Sequence, residues 1–573
     1  MSVLFCDLVG STEIASRLDP EEWRELLASC HSCARDAVTR FGGHVAQYLG
    51  DGLLVFFGYP HAYEDAPQRA VLAALATLEA LSALNSRMAS ERYPKLAARI
   101  GIHSGTVVVG PSHGDEAIAF GEVPNIASRV QSAASPDTVF ISAATHHLVS
   151  GWFVVEDQGA QPLKGIEHPV HLFRVVQPSA VRSRLGVAAL RGLTAFTGRE
   201  VELRLLLNRW ERVREGEGQL ILVVGEPGIG KSRLVEHFRE QIADMPHTWS
   251  DCAAAAIHEN TPFYAIEEML QHGFQWRGEQ SDDERIAGLE ASLDLAGVNT
   301  SEAVPLIAPL VNLAVPAKYP PLRMAPDQTR KRLLATITAW ALGIARIQPL
   351  IVAVEDLHWA DPSTLEVVQL LAEQGATAPL LLICTARPEF RAPWPPRAHH
   401  AQLSLDRLSV RDAREMATQL TARAPLPTDA VEAAVKLSGG IPFFVEELIR
   451  EMIENGDTRP LLPEIPSTLR DWLLARLDRL GEAREVAQVA SVIGHEFSWR
   501  LLRAIVLLED EQLNAALKKL ADSQLLLEQG IPPEATYKFR HALIQDAAYQ
   551  WLLRSKRRDY HRRIAQTGLD PLS

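Results

Sequence analysis

The stretch at residues 219–232, QLILVVGEPGIGKS, constrains this chain most, because it joins an apolar strand to a glycine-rich turn that ends in Lys-Ser. The apolar residues 220–224 run without alternation, which predicts a parallel strand covered on both faces. The glycines that follow let the backbone wrap closely, so that its N–H groups point at phosphate oxygens. Lys231 would reach the β and γ phosphates of a nucleotide, and the Ser232 hydroxyl would ligate Mg²⁺. The predicted phosphate-binding loop (P-loop) consists of Gly225, Glu226, Pro227, Gly228, Ile229, Gly230, Lys231 and Ser232.

Length and composition limit the classes of protein to consider. A chain of 573 residues is too long for a single core, and the usual domain size predicts roughly three to four domains. The formal net charge of -14 gives no overall attraction to nucleic acid or to an anionic membrane. No apolar run approaches the roughly 18 residues that span a bilayer, and no signal peptide opens the chain. With only five cysteines, we expect a cytoplasmic protein without a disulfide framework.

Cys30 and Cys33 form a CxxC pair, a pattern that also occurs in redox and metal sites. Asp19 and Pro20 are typical of a helix start, and the apolar residues after them recur at helical spacing until Gly42. Both cysteines fall on the apolar stripe of this predicted helix, and no second pair is available for zinc. We therefore interpret them as packing residues.

Two aspartates near the start of the chain lie where strands end or turn. Asp7 follows the apolar residues 3–6, and Asp51 lies at the tip of a predicted hairpin, between two glycines. Taken singly, each is a common turn residue. Taken together, carboxylates on neighbouring strand ends could hold two cations a few ångströms apart, an arrangement used for in-line displacement at phosphorus.

Four motifs in order make the interpretation of this region specific. FCDLVGST at 5–12, QYLGDGLLVFFG at 47–58, GIHSGTVVVG at 101–110 and GEVPNIASR at 121–129 resemble the class III nucleotidyl cyclase catalytic domain. The resemblance covers residues 1–176. It implies a ferredoxin-like α/β domain that works as a homodimer, and a reaction that converts ATP to cyclic AMP and pyrophosphate.

The resemblance also implies roles for individual residues. Asp7 and Asp51 match the two carboxylates that bind Mg²⁺ or Mn²⁺. Asn125 and Arg129 match the pair that orients the ribose and stabilises the transition state, and their i, i+4 spacing puts them on one helix face. Lys164 is similar to a lysine that approaches the terminal phosphates. In such dimers the metal carboxylates come from one chain and the Asn/Arg pair from the other.

The two positions that read the base depart from the family pattern. Gln47 stands where many members carry a lysine that contacts adenine, and its amide can both donate and accept a hydrogen bond. Ile118 stands where Asp or Thr is usual, and its side chain accepts nothing. The choice between ATP and GTP therefore stays open, as does a second hypothesis: a nucleotide-switched scaffold or transcriptional regulator whose cyclase domain only dimerises.

The centre of the chain resembles a second family. After a predicted linker at 177–195, the motif FTGRE at 196–200 is similar to the opening of bacterial STAND ATPases, signalling proteins of the AAA-like P-loop class. We assign 196–403 to this ATPase core, a parallel-sheet P-loop NTPase. The strand before Glu355 and Asp356 ends in the adjacent acids that a Mg²⁺ and attacking-water site requires, with Asp356 the better metal candidate by resemblance. Arg387 falls at the sensor position after the next buried strand.

The remaining residues complete the predicted architecture. Residues 404–460 are predicted to form a helical lid in which Pro442 packs near the adenine, as in STAND proteins. Residues 461–573 are predicted to form a winged-helix domain and the start of a helical array. A basic cluster near residues 554–563 is interpreted as a solvated helix, and we do not expect DNA binding.

The leading hypothesis is a cytoplasmic adenylate cyclase whose activity a fused ATP-binding STAND module controls. Its expected partners are a second copy of the chain, a higher oligomer of the STAND module as a further option, and a signalling ligand or protein of unknown identity. Few residues precede Asp7 and the chain stops soon after the array begins, which is compatible with a longer natural protein.

Overall fold

The computed structural model describes residues 1–88, 95–111, 117–179, 194, 196–274, 276, 280–320, 322–422, 424–455, 473–474, 477–478, 480–523, 525–540 and 542–567. The chain divides into two compact units, Met1–Leu193 with Leu462–Ser573, and Thr194–Leu461. In the described part of the chain no helix is both long and apolar enough to cross a membrane. The predicted linker at 177–195 falls largely outside the described residues, and the predicted domain boundaries stay predictions.

The N-terminal part of the first unit is built on a seven-stranded sheet with the order β2-β3-β1-β4-β7-β9-β8, and a two-stranded sheet pairs β5 with β6. The strands are β1 Ser2–Leu8, β2 His44–Leu49, β3 Gly52–Phe57, β4 Ala98–Ser104, β5 Val108–Pro111, β6 Ala117–Phe120, β7 Thr138–Ser142, β8 Phe153–Gln161 and β9 Val170–Pro178. The helices are α1 Ser11–Arg17, α2 Pro20–Arg40, α3 Ala66–Arg87, α4 Glu122–Ala133 and α5 Ala143–Val149.

The first four strands of the large sheet follow the ferredoxin-like pattern. The chain order β1-α2-β2-β3-α3-β4 gives the spatial order β2-β3-β1-β4, in which β1 pairs antiparallel with β3 and β4. Val3 and Phe56 are fully buried and belong to an apolar cluster with Val123 and Ala127 of α4. The core between sheet and helix therefore fixes α4 against the strands, in agreement with the α/β expectation.

Helix α2 begins and ends where the sequence predicts. The Asp19 carboxylate accepts a hydrogen bond from the Glu21 N–H at 2.9 Å, and Pro20 is the first helical residue. Cys30 is buried, Cys33 is half-buried, and both are free thiols. The burial of Cys30 agrees with its interpretation as a packing residue, and the interpretation of Cys33 stays a prediction.

The C-terminal part of the first unit contains a three-stranded antiparallel sheet with the order β15-β17-β16, surrounded by helices. Its strands are β15 Glu496–Ser498, β16 Leu526–Gln529 and β17 Thr536–Phe539, and its helices are α16 Ala483–Ile493, α17 Trp499–Ile505, α18 Asp510–Asp522, α19 Ala542–Trp551 and α20 Arg554–Thr567. A small sheet with helices is compatible with the predicted winged helix, which stays a prediction.

The second unit contains a five-stranded parallel sheet with the order β11-β12-β13-β10-β14. Its strands are β10 Gln219–Gly225, β11 Thr248–Ala253, β12 Leu350–Glu355, β13 Leu380–Ala386 and β14 His400–Leu405. The core strand β10 is buried at every position, as its unbroken apolar run predicts.

Helices cover this sheet and extend beyond it. They are α6 Glu200–Arg214, α7 Lys231–Gln241, α8 Tyr264–Gly273, α9 Asp282–Leu295, α10 Thr300–Ile307, α11 Pro326–Ile347, α12 Pro362–Gln374, α13 Val410–Thr421, α14 Thr428–Ser438 and α15 Pro442–Asn455. The last three form a separate apolar cluster in the segment predicted as the lid. The carboxyl ends of the parallel strands meet at one edge, where ligands bind in open α/β sheets.

Candidate functional site

Asp7 and Asp51 lie side by side at one end of the large sheet. Asp7 is the sixth residue of β1, and Asp51 lies in the β2–β3 turn, in which Gly50 has a φ of 65°. The pKa of the Asp7 carboxyl is raised by burial first, then by the charge of Asp51 and a hydrogen bond with it, while Arg99 opposes the shift. The raised pKa means that Asp7 gives up its proton less readily than a free carboxyl, a cost that a bound cation would offset.

Gly52 makes the approach of the two acids sterically allowed. A Cβ atom at this position would lie 2.8 Å from the Cys6 carbonyl oxygen and 3.1 Å from Asp7 Oδ1. Only glycine therefore lets the hairpin carry Asp51 so close to β1. The buried Cys6 thiol beside them has its pKa raised to about 12 by burial, with the charge of Asp7 adding to the shift.

The donor set fits a hard divalent cation. Carboxylate oxygens are the ligands that Mg²⁺ and Mn²⁺ prefer, and magnesium sites in proteins often use one or two carboxylates completed by substrate phosphates. Among the described residues no cluster of three or more His, Cys, Asp or Glu side chains could enclose a metal by itself. Asp7 and Asp51 thus form half of a metal site that a ligand would complete.

Asn125 and Arg129 lie exposed on one face of α4, whereas Val123, Ala127 and Val130 on the other face are buried. The i, i+4 spacing predicted this arrangement. Among the described residues, neither polar side chain has a hydrogen-bond or ion-pair partner. Both are therefore available to a ligand or to a second protein chain.

The other three predicted cyclase residues, Lys164, Gln47 and Ile118, lie on separate elements of the domain. Lys164 is exposed in the turn between β8 and β9. Gln47 is exposed on β2, just after an irregularity in the pairing with β3 between Val45 and Gln47, which the sequence did not reveal. For Ile118 the structure describes the backbone alone, in β6 opposite Gly110.

Large apolar side chains are exposed on the same domain, and sequence reasoning missed them. Val108 and Phe120 face each other across the β5–β6 pair and are 46% and 55% exposed. Tyr48 and Leu49 next to the metal turn are 45% and 43% exposed. Such exposed apolar groups are typical of an interaction surface. Val107, Val109 and Ala119, which alternate with Val108 and Phe120 in the hairpin, are half-buried.

The P-loop of the second unit has the predicted geometry. Gly228 and Gly230 have φ angles of 76° and 99°, conformations that favour glycine. The Lys231 ammonium donates to the carbonyl oxygens of Gly225 at 2.9 Å and Glu226 at 3.2 Å. Burial lowers the pKa of Lys231, and this lysine is the first residue of α7. A buried ammonium that binds only its own loop is placed to exchange these carbonyls for phosphate oxygens.

Glu355, rather than Asp356, contacts the P-loop hydroxyl. Ser232 Oγ donates to Glu355 Oε2 at 2.5 Å, and burial raises the pKa of this carboxyl to about 7. Asp356 has a φ of 52°, its N–H donates to Thr385 Oγ1 at 2.9 Å, and its side chain is 47% exposed. Both acids stay candidates for the metal, and the structure brings Glu355 to the serine.

Arg387 and Pro442 lie where the sequence placed them along the chain. Arg387 follows β13, is 9% exposed, and lies with its guanidinium carbon 5.3 Å from the centre of the Trp359 ring. Pro442 begins α15, and the N–H of the next residue, Phe443, donates to the Gly228 carbonyl at 3.2 Å. The segment around Pro442 therefore contacts the P-loop directly.

Two arginines near the P-loop were not predicted as site residues. Arg199 is 6% exposed and donates to the carbonyl oxygen of Ile229 at 3.3 Å. Arg407 Nη2 lies 3.2 Å and 3.3 Å from the two carboxylate oxygens of Glu226. Their partners are far away in sequence, so no local pattern indicates these contacts.

Comparison with known proteins agrees with both halves of this description. Residues 1–176 match the family model of the adenylate and guanylate cyclase catalytic domain, and residues 195–383 match that of the AAA ATPase domain. The chain contains a nucleotidyl cyclase domain and an AAA ATPase domain. The cyclase domain carries Asp7, Asp51, Asn125 and Arg129, and the ATPase domain carries the P-loop.

Three similar proteins illustrate the range of relatives. An uncharacterized protein of Rhizobium meliloti is 28% identical over 587 residues, which cover 98% of this chain and 55% of that protein. Adenylate cyclase 1 of the same organism is 31% identical over 134 residues, 23% of this chain and 20% of that protein. The crystal structure of the adenylyl cyclase CyaB from P. aeruginosa is 27% identical and covers 32% of this chain and 96% of that one, with a TM-score of 0.30. The chain thus spans about half the length of the first relative, and less of the second.

Proposed function

We propose that the cyclase domain converts ATP to cyclic AMP and pyrophosphate at a homodimer interface, and that the ATPase domain regulates it by binding ATP. The observation that carries the proposal is the juxtaposition of the Asp7 and Asp51 carboxylates. The cytoplasmic location and a higher oligomer of the ATPase domain, both expected from the sequence, stay predictions.

Asp7 and Asp51 would hold the cations. Mg²⁺ or Mn²⁺, when bound, supplies the charge that activates the ribose 3′-hydroxyl and neutralises the triphosphate. The protein's part is to keep the two carboxylates fixed on a rigid strand and a tight turn, so that little ordering is left for the moment of binding. Lys164 would approach the terminal phosphates from the β8–β9 turn.

The exposed pair on α4 supports a site shared between two chains. Asn125 would orient the ribose of a nucleotide bound to the partner's carboxylates, and Arg129 would stabilise charge that develops on phosphorus. The exposed Val108 and Phe120, on the hairpin that leads into α4, provide apolar area for dimerisation. Asn125 and Arg129 have no partner among the described residues of their own chain, as a shared site requires.

Regulation rests on the P-loop of the ATPase domain, which we propose acts as a STAND-type switch. Lys231 would bind the β and γ phosphates, and Ser232 with Glu355 or Asp356 would hold Mg²⁺. Arg387 would sense the γ phosphate. Pro442 and Phe443 would carry the change from the nucleotide to the helices α13–α15.

A second candidate function follows from the base-reading positions. Gln47 can pair with either purine, and Ile118 offers no hydrogen bond. A guanylate-using enzyme, or a dimerising domain without catalysis, is therefore the alternative. The departures at Gln47 and Ile118 affect the choice of base and leave Asp7, Asp51 and Arg129 unchanged.

The direct test is to incubate the purified chain with Mg²⁺ or Mn²⁺ and with ATP or GTP, and to measure the cyclic products. The proposal expects cyclic AMP from ATP, and no product from Asp7→Ala. Asp36→Ala is the matched control, because Asp36 is an exposed acid on α2 that pairs with its neighbour Arg35. No cyclic product from either nucleotide with a folded dimer would select the non-catalytic alternative, and cyclic GMP alone would select the guanylate cyclase.

A further inference from the structure

A half-buried ion pair ties the P-loop to the segment that leads into helices α13–α15. Arg407 lies two residues after β14, and its Nη2 contacts both carboxylate oxygens of Glu226, at 3.2 Å and 3.3 Å. The two side chains are 26% and 12% exposed. Removing one partner of a charge pair at this burial leaves the other charge uncompensated, which costs more than the loss of a surface pair.

The same short segment contacts the start of α15. The Leu408 N–H donates to the Gly440 carbonyl at 2.9 Å. A Cβ atom at Gly440 would lie 2.5 Å from the Leu408 carbonyl oxygen and 3.3 Å from Arg407 Cβ, so the two segments touch without space between them. Because the Phe443 N–H donates to the Gly228 carbonyl at 3.2 Å, the P-loop, the segment before α13 and the turn between α14 and α15 form one contact network.

Glu226 also stands next to the nucleotide-binding lysine. The Lys231 ammonium donates to the Glu226 carbonyl at 3.2 Å, while the Glu226 side chain binds Arg407. The ammonium has three donors, of which the Gly225 and Glu226 carbonyls occupy two, so binding both the β and γ phosphates of a nucleotide would release at least one of these carbonyls. A change at the main chain of Glu226 is therefore transmitted to Arg407 through a single residue.

We propose that Arg407 is a positioning residue that couples occupancy of the P-loop to the position of helices α13–α15 through Glu226. The inference rests on the proposed function, in that the P-loop must bind ATP. Arg407 lies beyond residues 195–383 that match the ATPase family model. Arg407 need not touch the nucleotide itself. Its contact is with the side chain of Glu226, a residue of the P-loop.

The first test is a double-mutant cycle on Mg-ATP affinity, measured with the full chain. Arg407→Ala and Glu226→Gln are each expected to weaken binding about tenfold, and the double variant no more than either single variant. Arg407→Lys should stay within about threefold of the wild type, because one nitrogen makes the contact and an ammonium can replace it. Arg411→Ala, an exposed arginine in the first turn of α13, is the control and should bind as the wild type does.

The second measurement is hydrogen exchange of peptides that cover residues 225–231 and 441–449. Without nucleotide, Arg407→Ala is expected to speed exchange in both peptides, and with Mg-ATP it should lose the protection that the wild type gains at 441–449. Affinities within twofold of the wild type, additive losses in the cycle, or unchanged exchange at 441–449 would overturn the coupling. If the wild type and Lys231→Ala alike fail to bind ATP, the proposed regulation by ATP is wrong. Hydrogen exchange in the nucleotide-free protein then still decides whether Arg407 holds residues 225–231 and 441–449 together.

Discussion

Glu355 shows how the fold changes the chemistry of a single residue. Its carboxyl lies beside the Ser232 hydroxyl at the end of β12, and burial raises its pKa from 4.5 to about 7, with the nearby Asp356 adding to the shift. Desolvation disfavours the charged form, so the folded protein binds this proton more tightly than the unfolded chain does. Because the pKa of Glu355 is raised on folding, proton binding to its carboxyl stabilises the folded protein. This contribution is fully present below pH 4.5 and is lost as the pH rises through about 7.

This sign gives a test with Glu355→Gln. The amide keeps a neutral oxygen for Ser232 and cannot ionise, so in EDTA the variant should gain stability relative to the wild type by up to about 3 kcal/mol near pH 8, with the gain falling below about 1 kcal/mol near pH 5. Thermal unfolding of the full chain at the two pH values measures it. A difference that is the same at both pH values would show that Glu355 does not titrate in this range.

Residue types alone could identify the acids but not their partners. Asp7, Asp51 and Lys231 were predicted because each follows a strand or stands in a glycine-rich turn, where local sequence fixes the position. Glu355 and Asp356 are adjacent in sequence, and only the left-handed backbone at Asp356 decides which one reaches Ser232. Which of the two acids contacts Ser232 therefore could not be predicted from the motif.

At the scale of elements, the contact between α4 and β4 positions the polar pair of the cyclase domain. A Cβ atom at Gly101 would lie 2.0 Å from the Gln131 backbone nitrogen, so α4 crosses β4 at a distance that only glycine allows. Because α4 also carries Asn125 and Arg129, this crossing fixes where both side chains can reach.

Gly101→Ala should therefore displace α4. We expect a loss of about 1–3 kcal/mol in the free energy of unfolding, and a fall in cyclic nucleotide production, since overpacking costs this much and α4 must move. Denaturant unfolding and the cyclase assay measure the two effects. Gly273→Ala is the control, because a Cβ atom there meets nothing within 4 Å; equal stability of both variants would contradict the steric argument.

Elements with strong local signals were predictable. The Asp19-Pro20 start and the apolar stripe gave α2, and the unbroken apolar run gave β10. The irregular pairing of β2 with β3 left no trace in composition, because it depends on how two strands pair. The contact of Arg407 with Glu226 joins residues 181 positions apart, beyond any local pattern.

At the scale of the whole molecule, the chain carries a nucleotidyl cyclase domain and an AAA ATPase domain, for which we propose separate tasks. The cyclase domain holds the proposed catalytic residues, and the ATPase domain holds the P-loop. Each domain has its own apolar core, so loss of one site need not unfold the other. This separation predicts that the two sites respond differently to mutation.

Lys231→Ala tests the separation. The variant should lose ATP binding to the P-loop, because the ammonium group that would bind the phosphates is removed. The cyclase domain should still form its product, with altered regulation. Cyclic nucleotide production as a function of ATP concentration measures it against the wild type. A Lys231→Ala protein as inactive as Asp7→Ala, although folded and dimeric, would contradict the proposed division of tasks.

The central claim is a catalytic site shared between two copies of the chain, and complementation tests it most directly. Asp7→Ala and Arg129→Ala are each expected to lose at least about a hundredfold in activity, because one removes a metal carboxylate and the other a transition-state charge. When equal amounts are mixed and allowed to exchange, half of the dimers are mixed and each has one intact site, so about a quarter of wild-type activity should return. A mixture that forms mixed dimers but stays as inactive as its components would contradict a shared site.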